Sequence, residues 1–276
     1  PLVATFHTYV MSKEYLDLIR LGRFEKKLSR LIWGFNNYYL NHSDVVISPA
    51  ESVKLDLLKS GVRKKVYVIH NGVDLDDFAP GGEFLARKAR EKYGLGDKVI
   101  LYVGRISKEK SLDVLIKAFG QLVKEAQDAQ LLLVGDGPER RKLESLTEKE
   151  GLTSRVIFAG KIAHEILAVS GVYEASRFFA TSSAAENQPI SVVEALAKGL
   201  PIVGVRARGL PELVSGNGLL AEPADVRSLT GVMKKLLTEN NLRQAFSQKS
   251  LEKAEAYSIS NTALQIENLY RSLVAE

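Results

Sequence analysis

The sequence contains no cysteine, and this absence excludes several kinds of site. Its 276 residues can form no disulfide, bind no metal through a thiolate and supply no catalytic thiol. Long hydrophobic runs are also missing, since none approaches the roughly 20 residues that cross a bilayer. A disordered chain is excluded as well, because 45% of the residues are hydrophobic and 26% are charged. We therefore expect a folded protein without a membrane-spanning helix, and the lack of cysteine favours the cytoplasm.

Positive charge is concentrated near the start of the chain. Of the net charge of +5, residues 1–40 contribute +3, from six basic and three acidic residues. The basic residues are Lys13, Arg20, Arg23, Lys26, Lys27 and Arg30. Such a stretch fits an anionic membrane surface or an anionic substrate, and equally a solvated helix face. No nucleic-acid-binding motif accompanies it, so we expect no nucleic acid as a partner.

Short apolar strands alternate with amphipathic helices after residue 97. Strands are predicted over residues 98–103, 130–134, 156–158, 178–180, 202–205 and 219–221. Helices are predicted over residues 111–124, 139–150, 190–198, 210–215, 225–238, 242–256 and 259–274. This order predicts an α/β fold with a doubly wound parallel sheet. Ligands of such sheets bind at the carboxyl ends of the strands, so the residues directly after each strand are candidates for a site.

A smaller set of elements precedes this sheet. Strands over residues 1–6, 44–48 and 66–69, with helices over 12–39 and 51–60, predict a second parallel lobe. The polar stretch from Asn71 to Gly82 predicts a domain boundary. We assign residues 1–80 to a first lobe and linker, 81–258 to a larger lobe, and 259–276 to a last helix that packs back on the first lobe.

Two cations follow the first strand of the larger lobe. Gly104 lets a ligand approach the backbone closely, and Arg105 and Lys110 lie near the start of a helix. This combination suits a diphosphate, although the same residues are also compatible with a solvated loop.

Glu186 and Glu194 form a second candidate pair. Placed on one helix, they would lie about 12 Å apart and about 80° apart in azimuth. That is too far for an acid/base pair, but it suits hydroxyl groups at two ends of one long ligand, such as a nucleotide sugar. The alternative is two solvated glutamates near a helix start, where the helix dipole favours them.

Other motifs carry weaker signals. The turn Gly135–Pro138 indicates a mainly structural role, with the lining of a nucleobase pocket as the alternative. The loop Arg206–Glu212 indicates an anion site or a plain turn. The D-x-D sequence at Asp74 follows a domain boundary rather than a strand, so we reject it as a metal site. The histidines, His7, His42, His70 and His164, have no metal-ligand spacing. We expect neither a metal nor another cofactor.

Taken in order, the motifs resemble the nucleotide-sugar-binding lobe of retaining glycosyltransferases of family four, which have the GT-B fold of two Rossmann-like lobes. They are Val103–Arg105, Glu109-Lys110, Gly135–Pro138, Glu186 with Glu194, Gly209–Glu212, Asn217–Leu220 and the linker Asn71–Asp74. The resemblance implies that the first strands of the N-terminal lobe precede Pro1, so that this lobe is incomplete here.

The resemblance also implies roles for individual residues. Arg105 and Lys110 would bind the donor diphosphate and stabilise its departure, Glu194 would bind the ribose, and Glu186 would hold hexose hydroxyls. Lys161 and Ile162 would contact the nucleobase. His7, within Phe6-His7-Thr8, resembles the histidine of phosphatidylinositol mannosyltransferases that faces the sugar. The predicted donor-binding set is completed by Gly104, Asn187, Gln188, Pro189 and Ile190.

Two departures from the family pattern concern this set. Ser111 stands where a glycine usually follows Glu-Lys, and Asn187-Gln188-Pro189 replaces the usual Phe-Gly after the first glutamate. Pro189 has no N–H, so one backbone donor to the sugar is lost or is replaced by a side chain of Asn187 or Gln188.

The implied activity is transfer of a hexose from a nucleotide diphosphate sugar to an acceptor hydroxyl, with retention of configuration. The basic stretch and the His7 motif favour a lipid acceptor, and with it a location at the inner face of the membrane. A nucleotide-sugar epimerase and a non-catalytic nucleotide-sugar-binding module remain as alternatives. The oligomeric state cannot be read from the sequence.

Overall fold

The computed structural model describes residues 1–7 and 25–275, the first five of the second range by backbone only. Thr8 and the first half of the helix predicted over 12–39 therefore lie outside the described residues, together with Lys13, Arg20 and Arg23. The helix itself is present from Glu25 onward.

The first lobe is built on a small parallel sheet. Its strands and helices are β1 (Val3–Thr5), α1 (Glu25–Asn41), β2 (Val45–Ser48), α2 (Glu51–Ser60) and β3 (Lys65–Val68). The strands lie in the order β1-β2-β3, and all four residues of the central strand β2 are buried. Helix α2 ends at Gly61 in the left-handed conformation, as the glycine in the sequence predicts.

The second lobe is built on a six-stranded parallel sheet. Its strands are β4 (Lys98–Val103), β5 (Ala129–Val134), β6 (Val156–Gly160), β7 (Phe178–Ala180), β8 (Ile202–Val205) and β9 (Gly218–Ala221). Its helices are α3 (Glu83–Tyr93), α4 (Leu112–Val123), α5 (Arg140–Lys149), α6 (His164–Leu167), α7 (Ile190–Ala197), α8 (Leu210–Leu213), α9 (Val226–Thr238) and α10 (Asn240–Ala254). A last helix, α11 (Ile259–Ala275), follows.

Alternate residues of β4 point into two separate cores. Leu101 and Val103 belong to one core cluster, whereas Ile100 and Tyr102 belong to the other. Such alternation requires apolar cover on both faces of the sheet, and it confirms the predicted doubly wound α/β architecture.

Strand order places a topological switch point beside β4. The sheet runs β6-β5-β4-β7-β8-β9, so the chain leaves β4 toward β5 and later returns to β7 on the other side. Crossovers on opposite sides leave a crevice at the carboxyl ends of β4 and β7. The predicted site residues Arg105 and Glu186 follow these two strands.

Helix α3 is absent from the sequence-based predictions. Its buried residues are alanines, Ala86 and Ala89, and the helix is otherwise rich in charge. Small apolar side chains give little hydrophobic periodicity, so the pattern that reveals the other helices is faint here.

Helix α11 returns the chain to the first lobe. Leu269 packs with Val45, Ile47 and Ile69 of that lobe in one buried cluster. A bridge between Val73 and Ser258 joins the linker to the segment before α11. Within the described residues, no helix combines the length and the apolar character that a membrane span requires.

A buried ion pair ties the linker to the second lobe. The Lys198 Nζ donates to Glu174 Oε1 at 2.8 Å and to the backbone oxygens of Ala79 and Ala168 at 2.8 and 2.6 Å. The Gly81 N–H donates to the same Glu174 oxygen at 3.0 Å. The lysine side chain is only 2% exposed, so its three contacts replace its hydration, and together with the Gly81 contact they fix the linker in place.

We expect Lys198→Met to lower the free energy of unfolding by about 3 kcal/mol, because it leaves the Glu174 carboxylate buried without its cation. The matched control is Lys249→Met, which removes an exposed partner of Glu252 and should change stability little. Urea denaturation of the two variants measures the difference. Equal losses in both would show that the buried pair does not stabilise the linker.

Candidate functional site

Lys110 and Glu186 meet at the switch point. The Lys110 Nζ lies 2.6 Å from Glu186 Oε1, although the two residues are 76 positions apart in sequence. Both side chains are largely buried, at 22% and 13% exposure, so water screens the pair only partly. The contact joins the loop after β4 to the loop after β7.

Tyr102 shapes the turn that carries Arg105. Its hydroxyl donates to the Arg105 backbone oxygen at 3.0 Å, and a Cβ at Gly104 would lie 2.8 Å from that hydroxyl. Glycine is therefore the residue that fits at position 104.

Burial, followed by the nearby charges of Glu186 and Glu109, raises the pKa of Tyr102 well above its ordinary value. The phenol thus stays protonated and remains a donor. The sequence hides this role, because Tyr102 reads as one more core residue of β4.

The segment Val134–Pro138 packs against the loop that carries Arg105 through backbone contacts. The Ile106 N–H donates to the backbone oxygen of Asp136 at 2.9 Å, and the Gly104 N–H donates to the backbone oxygen of Val134 at 2.9 Å. A Cβ at Gly135 would lie 1.8 Å from the Gly104 oxygen, so the two loops touch through backbone alone. This agrees with the mainly structural role predicted from the sequence.

Two cavities flank the Gly104–Arg105 backbone. The β7-side cavity, of about 290 Å³, contains five of the predicted site residues besides Gly104: Arg105, Lys110, Glu186, Pro189 and Ile190. The β5-side cavity, of about 350 Å³, contains Gly135, Asp136, Lys161, Ile162 and Leu167. A long ligand crossing Gly104 would therefore place one end in each cavity.

Glu186 and Glu194 do not share one helix, in agreement with the helix predicted over residues 190–198. Helix α7 begins at Ile190, directly after Pro189 at its N-cap, so Glu186 lies in the preceding loop. Proline fixes its own φ and has no N–H, which makes it a natural residue at which to start a helix and a poor one inside it. The helical separation calculated for the pair does not apply.

Glu194 lies on α7 and is 3% exposed. Its Oε2 accepts from the Tyr173 hydroxyl at 2.8 Å, and its Oε1 lies 3.0 Å from His164 Nε2. Neither Tyr173 nor His164 was a sequence-based candidate. No local motif marks them, because each reaches Glu194 from a different element.

Asn187 and Gln188 connect the two lobes. The Asn187 Nδ2 donates to the His7 backbone oxygen at 3.1 Å, and the Asn71 N–H donates to Gln188 Oε1 at 2.6 Å. Both side chains are more than nine-tenths buried. Among the described residues, Asn187 Oδ1 and Gln188 Nε2 have no hydrogen-bond partner. Leaving such buried atoms unpaired is costly in free energy.

The His7 side chain is exposed and lies apart from the Lys110–Glu186 pair. It lines a separate cavity of about 410 Å³ together with Phe35, Asn36 and Tyr39 of α1. The structure therefore brings the backbone of His7 to the loop after β7, through Asn187, and directs its side chain toward the α1 surface.

Two remaining motifs have structural partners. The Glu212 carboxylate accepts from the N–H groups of Glu51 and Ser52 at 3.0 and 2.8 Å, where α2 begins. It thus caps a helix of the other lobe. The Asp74 carboxylate accepts from Asp76 N–H at 3.0 Å within its own turn. Within the part of the chain that is described, no cluster of three or more His, Asp or Glu residues could hold a metal ion.

Family models match almost the whole chain. Residues 86–253 match the model for glycosyl transferases group 1, and residues 1–77 match the model for glycosyltransferase family 4. These matches confirm the resemblance inferred from the motifs.

Individual proteins give the same picture. The chain is 32% identical to D-inositol 3-phosphate glycosyltransferase of Corynebacterium urealyticum, over 85% of this chain and 58% of that protein. It is 31% identical to alpha-monoglucosyldiacylglycerol synthase of Streptococcus pneumoniae, over 80% and 48%. The chain thus spans about half the length of the curated relatives it matches. Its fold is that of Anabaena HepE, solved with UDP, at a TM-score of 0.82 and 23% identity over 99% of this chain and 72% of that one. This likeness confirms the GT-B fold.

We expect Gly135→Ala to lower the free energy of unfolding by about 2 kcal/mol, because its methyl group would collide with the Gly104 oxygen. The control is Gly94→Ala, where φ is also positive but no described heavy atom lies within 4 Å of the new methyl group; it should cost about 1 kcal/mol. Thermal or urea unfolding compares the two. A cost at Gly135 no larger than that at Gly94 would mean that the two loops separate freely.

Proposed function

The chain belongs to the group 1 glycosyl transferases, and we propose that it transfers a hexose from a nucleotide diphosphate sugar to an acceptor hydroxyl with retention of configuration. The observation that carries the proposal is the convergence of Arg105, Lys110 and Glu186 on one cavity at the switch point. A cation pair and a carboxylate are what the diphosphate and the sugar hydroxyls of such a donor require.

The diphosphate lies across the Gly104–Arg105 turn in this proposal. Arg105 is exposed at the rim and can offer paired N–H groups to phosphate oxygens. Lys110 has three ammonium protons, one of which Glu186 accepts, so two remain for the phosphates. These cations stabilise the negative charge that develops on the departing diphosphate, and we propose that no metal ion is needed for this step.

The nucleoside occupies the β5-side cavity. Lys161 and Ile162 line it together with Leu167, which provides an apolar wall and a cation for a nucleobase. Glu194 binds the ribose hydroxyls, since charged carboxylates accept strongly from vicinal hydroxyls.

The hexose occupies the β7-side cavity, next to Glu186. Pro189 and Ile190 line the same cavity, and the two residues directly before Pro189 carry one unpaired acceptor, Asn187 Oδ1, and one unpaired donor, Gln188 Nε2. We propose that hydroxyl groups of the sugar satisfy these two atoms. They would then replace the backbone donor that Pro189 lacks.

The anomeric configuration is retained when the acceptor hydroxyl attacks the anomeric carbon from the same face that the diphosphate leaves. Glu186 is the carboxylate lining the β7-side cavity in the described chain, and its pairing with Lys110 makes it a poor covalent nucleophile. The acceptor oxygen therefore forms the new bond to the anomeric carbon while the bond to the phosphate oxygen breaks. The acceptor's proton passes to the departing phosphate oxygen.

The acceptor side lies at α1 and His7. Phe35 and Tyr39 line the cavity that contains His7, and both are more than 60% exposed, as are the neighbouring Leu31 and Tyr38. An exposed apolar face of this size suits an acceptor with an apolar part. The similarity to a monoglucosyldiacylglycerol synthase supports a lipid acceptor, presented at the inner face of a membrane.

We expect Arg105→Ala and Lys110→Ala each to weaken nucleoside diphosphate binding by about ten- to a hundredfold, since each removes a charged contact worth about 1.5–3 kcal/mol. A thermal-shift screen with UDP, GDP and ADP selects the nucleotide, and calorimetry measures the affinities. The control is Lys108→Ala, an exposed lysine of the same turn. Unchanged affinity in both site variants would refute the diphosphate assignment.

Product analysis separates transfer from the two alternatives. Incubation with the selected nucleotide sugar and a diacylglycerol acceptor should release nucleoside diphosphate and yield a glycosylated acceptor with the anomeric configuration of the donor. An epimerised donor with no acceptor product would establish the epimerase instead. Binding without any turnover would establish a non-catalytic module.

A further inference from the structure

The two carboxylate oxygens of Glu194 have partners that differ greatly in solvent exposure. Tyr173, on Oε2, is completely buried, whereas the side chain of His164, on Oε1, is 68% exposed. Tyr173 belongs to the core and packs edge-on against Phe78, with ring centroids 6.0 Å apart. His164 is the first residue of the four-residue helix α6, and its ring also packs against Phe78, with ring centroids 5.7 Å apart.

The tyrosine is a permanent donor to Glu194. Burial, with the nearby Glu194 charge, raises its pKa well above the ordinary value, so the phenol keeps its proton. Its ring is enclosed by close-packed side chains and cannot leave without opening the core. The Oε2–Tyr173 contact therefore fixes the direction in which Glu194 presents its second oxygen.

The histidine covers the oxygen that a ligand would need. In the described chain, Glu194 is not among the residues that line either the β7-side or the β5-side cavity. Leu167, three residues beyond His164 in α6, does line the β5-side cavity. His164 thus begins the short helix that contributes Leu167 to that cavity, and among the described partners of Glu194 its imidazole is the one that is exposed enough to turn into solvent.

A buried carboxylate needs a hydrogen-bond partner whether or not a ligand is present. An unpaired buried carboxylate has lost its hydration, and the apolar side chains around α7 offer no hydrogen bond to compensate for that free-energy cost. An exposed side chain can hydrogen-bond the carboxylate oxygen when no ligand is bound and can be replaced by a ligand hydroxyl group when one is. The oxygen then has a partner in both states, and the cost of leaving it unpaired is avoided.

We propose that His164 is an exchangeable cap on Glu194, displaced by the ribose diol of the donor, and that Tyr173 is the positioning residue that holds the carboxylate in both states. This inference rests on the proposed function, because it takes the ligand of Glu194 to be the ribose of a nucleoside diphosphate.

The test measures the affinities of UDP, GDP and ADP and of their 2′,3′-dideoxy analogues by calorimetry. The unmodified chain should bind its preferred ribonucleotide at least about tenfold more tightly than the dideoxy analogue. Tyr173→Phe should weaken the ribonucleotide about tenfold, whereas His164→Ala should tighten it about threefold, because the ribose no longer competes with an imidazole. Neither variant should change the affinity of the dideoxy analogue.

Matched controls separate these effects from general destabilisation. Tyr257→Phe removes the hydroxyl group of another buried tyrosine. His42→Ala removes another exposed histidine, whose ring forms a hydrogen bond with the backbone oxygen of Tyr38 in the first lobe. Neither control should change the ratio of the two affinities. His164→Ala alters an exposed side chain, so it tests the cap even if Tyr173→Phe does not fold.

Each result bears on a different statement. Equal or weaker ribonucleotide binding by His164→Ala overturns the cap, and full ribose preference in a folded Tyr173→Phe overturns the positioning role. Binding of the diphosphates without any ribose preference overturns this inference but leaves the diphosphate assignment intact. Failure to bind any of the three nucleotides overturns the proposed function, and this inference with it.

Discussion

The contact between Lys110 and Glu186 is the point around which the site is arranged. It holds together two loops that follow neighbouring strands but are far apart in sequence. Without it, the carboxylate would lie largely buried and unpaired beside the buried phenol of Tyr102. Because Glu186 accepts one ammonium proton of Lys110 and two remain, this one lysine can neutralise the carboxylate and also offer positive charge to an anionic ligand.

The loop after β7 serves the cavity and the interface between the lobes at once. Glu186 faces Lys110, whereas the next two side chains reach His7 and Asn71 of the first lobe and its linker. Glu212 adds a third link by capping α2. A ligand that binds the two unpaired amide atoms of Asn187 and Gln188 would therefore stiffen a segment that also spans the cleft. In the proposed function, sugar binding and the contacts between the lobes would depend on the same three consecutive residues, Glu186, Asn187 and Gln188.

The site divides its polar groups between exposed and buried positions. Arg105 is exposed and can adapt to a ligand, whereas Glu194 is enclosed and is aligned by a core tyrosine. Glu174, which follows Tyr173 directly in the chain, forms the buried pair with Lys198 that holds the linker. The same short segment thus aligns a candidate ligand group and anchors the connection between the lobes.

The sequence by itself determined the architecture and the loops that carry the site. Short continuous apolar runs identify most strands, and apolar patterns of period 3.6 identify most helices. Parallel strands leave the residues that follow them at one edge of the sheet, which points to Arg105, Lys110 and Glu186. Only the tertiary structure decided that Lys110 pairs with Glu186, and that Tyr102, Tyr173, His164 and Lys198 form hydrogen bonds with polar groups of distant segments. The reason is physical: periodicity records which side of an element is buried, whereas a hydrogen bond between distant segments depends on the distance and angle that packing alone sets.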